Sequence, residues 1–494
     1  MKAYCLSIDI VNADKPTASL AFLAGICEHA GVEYECSSLN AEMLSVLDRS
    51  EFQSLYDAIK LGTEGIWLPK INHVLDALVT RIQDFQPNVL LVSFFSFMQL
   101  NMGRHVLALV RQRVPDVEII AGGPGIHGIE TVKGITNGKL LCQQGLVDFY
   151  VLGEGDELLP AFLAGNRNML GLNSVAHKHE TWVPQIDKLD EKYILPSYKK
   201  INFQVYQNIE NKQQGIINLS TSRGCVRACT FCDVSNTWPK FRFRSGKNVA
   251  QEVLKHFQDT GIPNFYISDS LINGSLKSFK EFNQAMIELK QSHAGLADFS
   301  YNGMFIVRDK KSHNEEFFAT MSAAGCESIA IGVETGSDRL RTLMAKKFTN
   351  EDLDWHMQMC QKYKIRNVLL MFTGHPQETE QDFQDSLNLL DRYQKYLLDD
   401  TIIGINFSGV YSLIPGTPDW THREDMGLEI LPGHDDMRIN WINKNNPSLT
   451  VKERILRDLA FRKHAANLRY GMPYTRRYLE YLKKVDKNFV PVSD

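Results

Sequence analysis

From residue 214 onward, short apolar runs rich in β-formers alternate with stretches of helical periodicity. The runs are GIINLS (215–220), NFYIS (264–268), DFSYNG (298–303), SIAIGVE (328–334), NVLLMFTG (367–374) and IIGINFSGVY (402–411). Between them, KNVAQEVLKHFQ places Val249, Val253, Leu254 and Phe257 on one face, and TEQDFQDSLNLLDRY starts at Thr379, a residue able to cap a helix. Strand and helix alternating in this way predict six βα units around a parallel sheet. Residues 1 to about 195 alternate too, with strand-like runs at 3–11, 32–38, 88–95, 117–121 and 148–152 and helical patterns at 18–30, 68–84 and 101–113. That predicts a doubly wound α/β domain, a fold that binds ligands past the carboxyl ends of its strands. The polar, proline-containing residues 180–214 read as an interdomain crossing. From about 421 the chain turns charged and helical, most clearly in VKERILRDLAFRKHAANLRY.

Composition narrows the function classes. The chain has 494 residues, 44% apolar and 23% charged, with 58 acids against 54 bases and a net charge of -4. This balance gives no general nucleic-acid or membrane surface. MKAYCLSIDIV reads as a core strand, no long apolar span follows, and the expectation is a cytoplasmic chain without nucleic-acid or membrane partners. Nine cysteines, mostly scattered, argue against a disulfide framework.

Three of the nine are not scattered. Cys225, Cys229 and Cys232 stand in a C-x3-C-x2-C spacing, with Phe231 before the last. A structural zinc site closes on four protein ligands, and no second pair follows here. A [4Fe–4S] cluster takes one thiolate per iron, so three cysteines leave one iron open to chelate an amine and a carboxylate.

The motif C-x3-C-x-aromatic-C resembles the signature of the radical S-adenosylmethionine (SAM) superfamily. The resemblance implies a partial (β/α)6 barrel over 196–420, in which the open iron binds SAM and an electron from the cluster splits the S–C5′ bond. The cysteine loop follows the first strand, where βα barrels place their chemistry. Other strand ends carry further likenesses. In SDSLINGS, Asp269 and Ser270 fall at the position of a methionine-binding motif, or form an Asx turn or helix cap. Glu334 in GVETGS falls where relatives contact the ribose or amino group of SAM, or caps a helix. Gly374 and Pro376 in GHPQET resemble a turn near the adenine, or serve the turn alone, and His375 reads as exposed or functional. LIPGTPDW (413–420) resembles a further P-G-T-P turn.

The N-terminal PTASLAFLAG, PNVLLVSFF (87–95), AGGP and VLGEGDE resemble a cobalamin-binding, Rossmann-like domain that precedes the barrel in one radical SAM class. The resemblance implies cobalamin over the glycines at the strand ends, Gly122, Gly123, Gly153 and Gly155, although a tight turn explains each equally well. The D-x-H-x-x-G motif that supplies a lower cobalt ligand is absent.

The organisation expected is therefore 1–195 cobalamin-binding-like domain with linker, 196–420 barrel, and 421–494 helical tail. The functional reading is a cobalamin-dependent enzyme methylating an unactivated carbon. The alternative is a cobalamin-independent radical enzyme catalysing cyclisation, rearrangement or epimerisation. A non-catalytic iron–sulfur scaffold is disfavoured by SAM-like motifs at several strand ends. A methylthiotransferase needs three more cluster cysteines, and Cys5, Cys27 and Cys36 fall in core patterns. The expected partners are a small-molecule or peptide substrate and an electron donor such as flavodoxin or ferredoxin. Tyr301 and Tyr411 lie on barrel strands, and no catalytic acid or base is assigned.

Overall fold

A computed structural model describes residues 1–470 except 12, 128, 131–134, 207–214 and 432–438. Contacts group the chain into two compact units, 1–219 with 248–266 and 220–247 with 267–494.

In the first unit the sheet comprises β1 (Lys2–Ile8), β2 (Glu33–Ser38), β3 (Val89–Phe94), β4 (Glu118–Gly122), β5 (Phe149–Val151) and β6 (Leu172–Asn173), in the order β2-β1-β3-β4-β5-β6. β1 pairs in parallel with β2 and β3, β3 with β4, and β4 with β5, whereas β6 closes the edge antiparallel to β5. The first five strands thus have the doubly wound order 2-1-3-4-5, with the direction of winding reversed between β1 and β3. Continuous apolar runs form these strands because helices cover both faces. Leu90 and Val92 belong to one buried cluster, which α2 (Leu68–Phe85) and α3 (Leu100–Arg113) also enter, and Val89 and Leu91 to the other, with α1 (Ala18–His29).

The second six-stranded sheet runs strictly in chain order. It comprises β7 (Ile217–Leu219), β8 (Asn264–Ile267), β9 (Ser300–Phe305), β10 (Cys326–Glu334), β11 (Arg366–Thr373) and β12 (Ile402–Val410), ordered β12-β11-β10-β9-β8-β7. β9 to β12 pair in parallel, and the first and last strands are edges, so the barrel is partial. The intervening helices include α4 (Leu276–Ser292), α5 (Glu315–Ala324), α6 (Asn350–Tyr363) and α7 (Glu380–Leu398). Thr379 caps α7 as the sequence suggests, in a capping box with Asp382.

Beyond the barrel the chain is not helical throughout. Leu428–Ile430 pairs antiparallel with Trp441–Asn443 before α8 (Val451–Asn467) begins. Leu428 and Trp441 bury against the barrel residues Phe372 and Tyr411, which favours a ribbon over a helix there. Among the described residues no helix is long and apolar enough to cross a membrane.

Candidate functional site

The cysteine loop leaves β7 through a short antiparallel ladder, Ser222–Arg223 with Arg242–Phe243. Gly224 turns the chain at φ +86°, where a β-carbon would stand 2.6 Å from the Lys240 carbonyl oxygen, so only glycine fits before Cys225. The loop then presents Cys225, Cys229 and Cys232 to a cavity of about 600 Å³ at the carboxyl ends of the barrel strands. Burial raises each thiol above its ordinary value, and the Lys346 ammonium pulls each back down. Among the described residues no three His, Cys, Asp or Glu side chains converge on a single-ion position. A [4Fe–4S] cluster takes one thiolate per iron, and these three thiols line one cavity.

Phe231, Ser270 and Glu334 line the same cavity as the cysteines. Phe231 packs edge-on against Phe372 at 5.4 Å between ring centroids. Glu334 ends β10 in the left-handed region at φ 64°, just past a break in register with β11. Non-glycine residues rarely adopt that conformation, and where they do a functional constraint commonly holds them. Its carboxylate caps no helix; it accepts from Lys346 Nζ at 2.7 Å, with the two side chains 11% and 13% exposed. Lys346 was not anticipated from sequence, and the available signal is faint: a cation twelve positions after a strand-end acid.

Asp269 does not line the cavity. Its buried carboxylate accepts Thr221 N at 2.9 Å, Ser222 Oγ at 2.7 Å and the Thr221 hydroxyl. It therefore ties the end of β8 to the root of the cysteine loop, and Ser275, not Asp269, caps α4. Desolvation lifts its pKa to about 6 against the pull of those donors. Replacing Asp269 by Ala should loosen the loop and lower iron retention, a larger effect than on SAM affinity at full iron loading. Iron content after anaerobic reconstitution and desalting, set beside a SAM titration, checks it.

Gly374 and Pro376 also stand outside the cavity wall. Gly374 N donates to Glu378 Oε2 at 2.9 Å, and the Pro376 carbonyl accepts from Asn443 Nδ2 at 2.8 Å. Their turn is braced by α8, where Arg457 Nη1 reaches Glu378 Oε1 at 3.0 Å. His375 is not exposed but fully buried, which holds the imidazole neutral. Of the two strand tyrosines, Tyr411 lines the cavity, and Tyr301 is buried with its hydroxyl on Asn283 Oδ1.

In the first unit, three of the four strand-end glycines are filled by its own atoms. A β-carbon would come within 2.6 Å of Phe94 O at Gly123, 3.2 Å of Val183 at Gly153 and 2.9 Å of Leu159 at Gly155. At Gly122 the nearest atom would be 3.9 Å away, so that position alone is open. Sequence reasoning missed a second feature: Phe95, Phe97 and Met98 follow β3 and are 43%, 42% and 38% exposed. These apolar side chains stand at the carboxyl end of a strand flanking the reversal in strand order, where such sheets bind ligands.

Residues 219–390 match the Radical SAM superfamily. Over 225 residues the chain is 27% identical to a tRNA-2-methylthio-N(6)-dimethylallyladenosine synthase of Deinococcus radiodurans, covering 43% of this chain and 41% of that one. Over 296 residues it is 24% identical to an anaerobic magnesium-protoporphyrin IX monomethyl ester cyclase of Synechocystis, covering 58% and 55%. The chain thus spans about half the length of these relatives or less. Two solved structures share its fold across nearly the whole chain. The cobalamin-dependent SAM radical enzyme OxsB, with aqua-cobalamin and SAM bound, superposes with a TM-score of 0.67 at 15% identity, over 98% of this chain and 71% of that one. The radical SAM methyltransferase TsrM of Kitasatospora setae, with cobalamin and a [4Fe–4S] cluster bound, gives 0.62 at 17%, over 92% and 81%.

Proposed function

Because residues 219–390 match the Radical SAM superfamily, we propose that this chain is a cobalamin-dependent radical SAM enzyme that methylates an unactivated carbon of a small-molecule or peptide substrate. The observation that carries the radical part is one cavity holding three cysteine thiols and the Glu334–Lys346 ion pair. Cys225, Cys229 and Cys232 would hold a [4Fe–4S] cluster, which supplies the electron that splits SAM into methionine and a 5′-deoxyadenosyl radical. The chain's own part is to bind and orient. Glu334 and Lys346 offer opposite charges to a zwitterionic ligand, Ser270 adds a hydroxyl, and Met304, Leu370 and Phe372 give the cavity an apolar wall. An electron carrier such as flavodoxin or ferredoxin would reduce the site. The test is anaerobic reconstitution with iron and sulfide, then dithionite and SAM. 5′-Deoxyadenosine is expected, and iron-loaded protein that releases none sinks the reading.

The cobalamin part rests on the first unit. Gly122 at the end of β4 leaves room for a close approach, and Phe95, Phe97 and Met98 expose apolar side chains just past β3; both features suit a large flat ligand, and cobalamin bound at these strand ends would supply the methyl carrier. Gly122→Val is the discriminating variant, because its β-carbon would meet no atom closer than 3.9 Å. Gly123→Val would collide with β3 whether or not a ligand binds. The wild type should bind hydroxocobalamin in equilibrium dialysis, and Gly122→Val should bind it roughly tenfold more weakly, about 1.4 kcal/mol, with an unchanged melting temperature. Wild-type protein that binds none while still releasing 5′-deoxyadenosine would favour the cobalamin-independent alternative.

A further inference from the structure

Asp419 belongs to LIPGTPDW, a motif with no role in the site as described so far. Its side chain is buried, and one oxygen, Oδ2, joins three parts of the barrel. Tyr411 Oη donates to it at 2.6 Å from the end of β12. Thr230 Oγ1 donates to it at 3.1 Å from the cysteine loop. His375 Nε2 lies 3.8 Å from the same oxygen, and it is a buried nitrogen with no hydrogen-bond partner. Gln377 N donates to His375 Nδ1 at 3.2 Å, which leaves Nε2 to carry the ring proton. The backbone repeats the grip on the loop, with Asp419 N donating to Thr230 O at 2.9 Å. Thr230 stands between Cys229 and Cys232, and Tyr411 has its ring on the cavity wall.

A buried carboxylate needs its donors, and each one lost costs more than an ordinary hydrogen bond. Removing the Tyr411 hydroxyl would leave Oδ2 to Thr230 and to the unused His375 N–H. Either adjustment moves the segment that carries two of the three cysteines. Hydrogen bonding around cluster sulfurs sets the properties of a cluster, so such a movement is read there.

We propose that Asp419 is a positioning residue for the cluster, which fixes the Cys229–Cys232 segment and links it mechanically to the Tyr411 face of the substrate cavity. Asp419 does not touch the reacting atoms. This inference rests on the cluster reading, and wild-type protein that fails to assemble a cluster overturns that reading first.

The test uses full-length protein, reconstituted anaerobically, as wild type, Asp419→Asn, Asp419→Ala and Tyr411→Phe. Iron release to a chelator and the EPR spectrum of the dithionite-reduced cluster are recorded beside thermal unfolding by circular dichroism. Asp419→Ala should release iron roughly tenfold faster than wild type, the scale of one lost charge-assisted hydrogen bond. Asp419→Asn keeps a carbonyl oxygen for one donor and should fall between them. Tyr411→Phe should hold its iron yet give a shifted EPR spectrum, which a purely structural role would leave unmoved. Folded Asp419→Ala with wild-type iron release overturns the proposal. If Asp419→Ala does not fold, Tyr411→Phe decides, and an unchanged spectrum overturns it.

Discussion

Replacing Cys225, Cys229 and Cys232 together by Ala should give a folded protein that retains no cluster iron and releases no 5′-deoxyadenosine. Each thiolate serves one iron, so single replacements should come close to the same loss. Fold and metal separate here because the three side chains are only half-buried at the wall of an open cavity, outside the hydrophobic core. Truncating them leaves no core cavity of the kind that destabilises by several kcal/mol. Cys326 and Cys360 provide the control. Both are buried, Cys326 in β10 and Cys360 in α6, and burial pushes both thiols far up, that of Cys360 to about 12. Alanine at either should lower the melting temperature and leave iron per chain unchanged. Iron and sulfide assays with near-ultraviolet and visible spectra decide it. A triple variant that kept its iron would remove the basis of the cluster assignment.

The architecture was legible because both sheets are built from apolar runs bounded by polar turns. Each of the six barrel runs contains or overlaps a strand, and the order of motifs at their ends fixed where a ligand-binding edge would form. Elements of two residues escaped, such as Leu172–Asn173 and the ladder beside Gly224, because two residues carry no period. Side-chain direction was the larger gap. A strand-end acid looks the same in sequence whether it faces the cavity, as Glu334 does, or turns beneath the loop, as Asp269 does. Glycines were ambiguous in the same way. The close approach that Gly123 permits is to Phe94 and Ser93, a contact between strands distant in sequence. Lys346 reaches Glu334 across 12 residues and Asp419 reaches Thr230 across 189, links that no local pattern reports.

The Glu334–Lys346 pair can be disturbed without touching either residue. Gly332 lies under it, and a β-carbon there would stand 2.5 Å from Glu334 Oε1 and 2.6 Å from Lys346 Nζ. Both atoms are the far ends of flexible side chains, so Gly332→Ala can be accommodated by swinging the charges aside at little cost to the barrel. The two charges would then no longer present the same face to the cavity. A ligand that uses both should bind roughly ten- to a hundredfold more weakly, about 1.4 to 2.7 kcal/mol. Lys346→Met is a harsher version of the same change. It leaves Glu334 buried without its partner, a situation that costs roughly 3–5 kcal/mol when a buried ion pair is broken, and it should lower the melting temperature as well. Iron content should stay at the wild-type level in Gly332→Ala, because the cysteine loop is anchored elsewhere, by Asp269. SAM binding by isothermal titration to the anaerobic, iron-loaded protein, with iron per chain and the melting temperature measured alongside, separates these effects. Wild-type SAM affinity in both variants would mean that the pair faces the cavity without touching the cofactor, and Ser270 and the cysteine loop would then have to hold SAM alone.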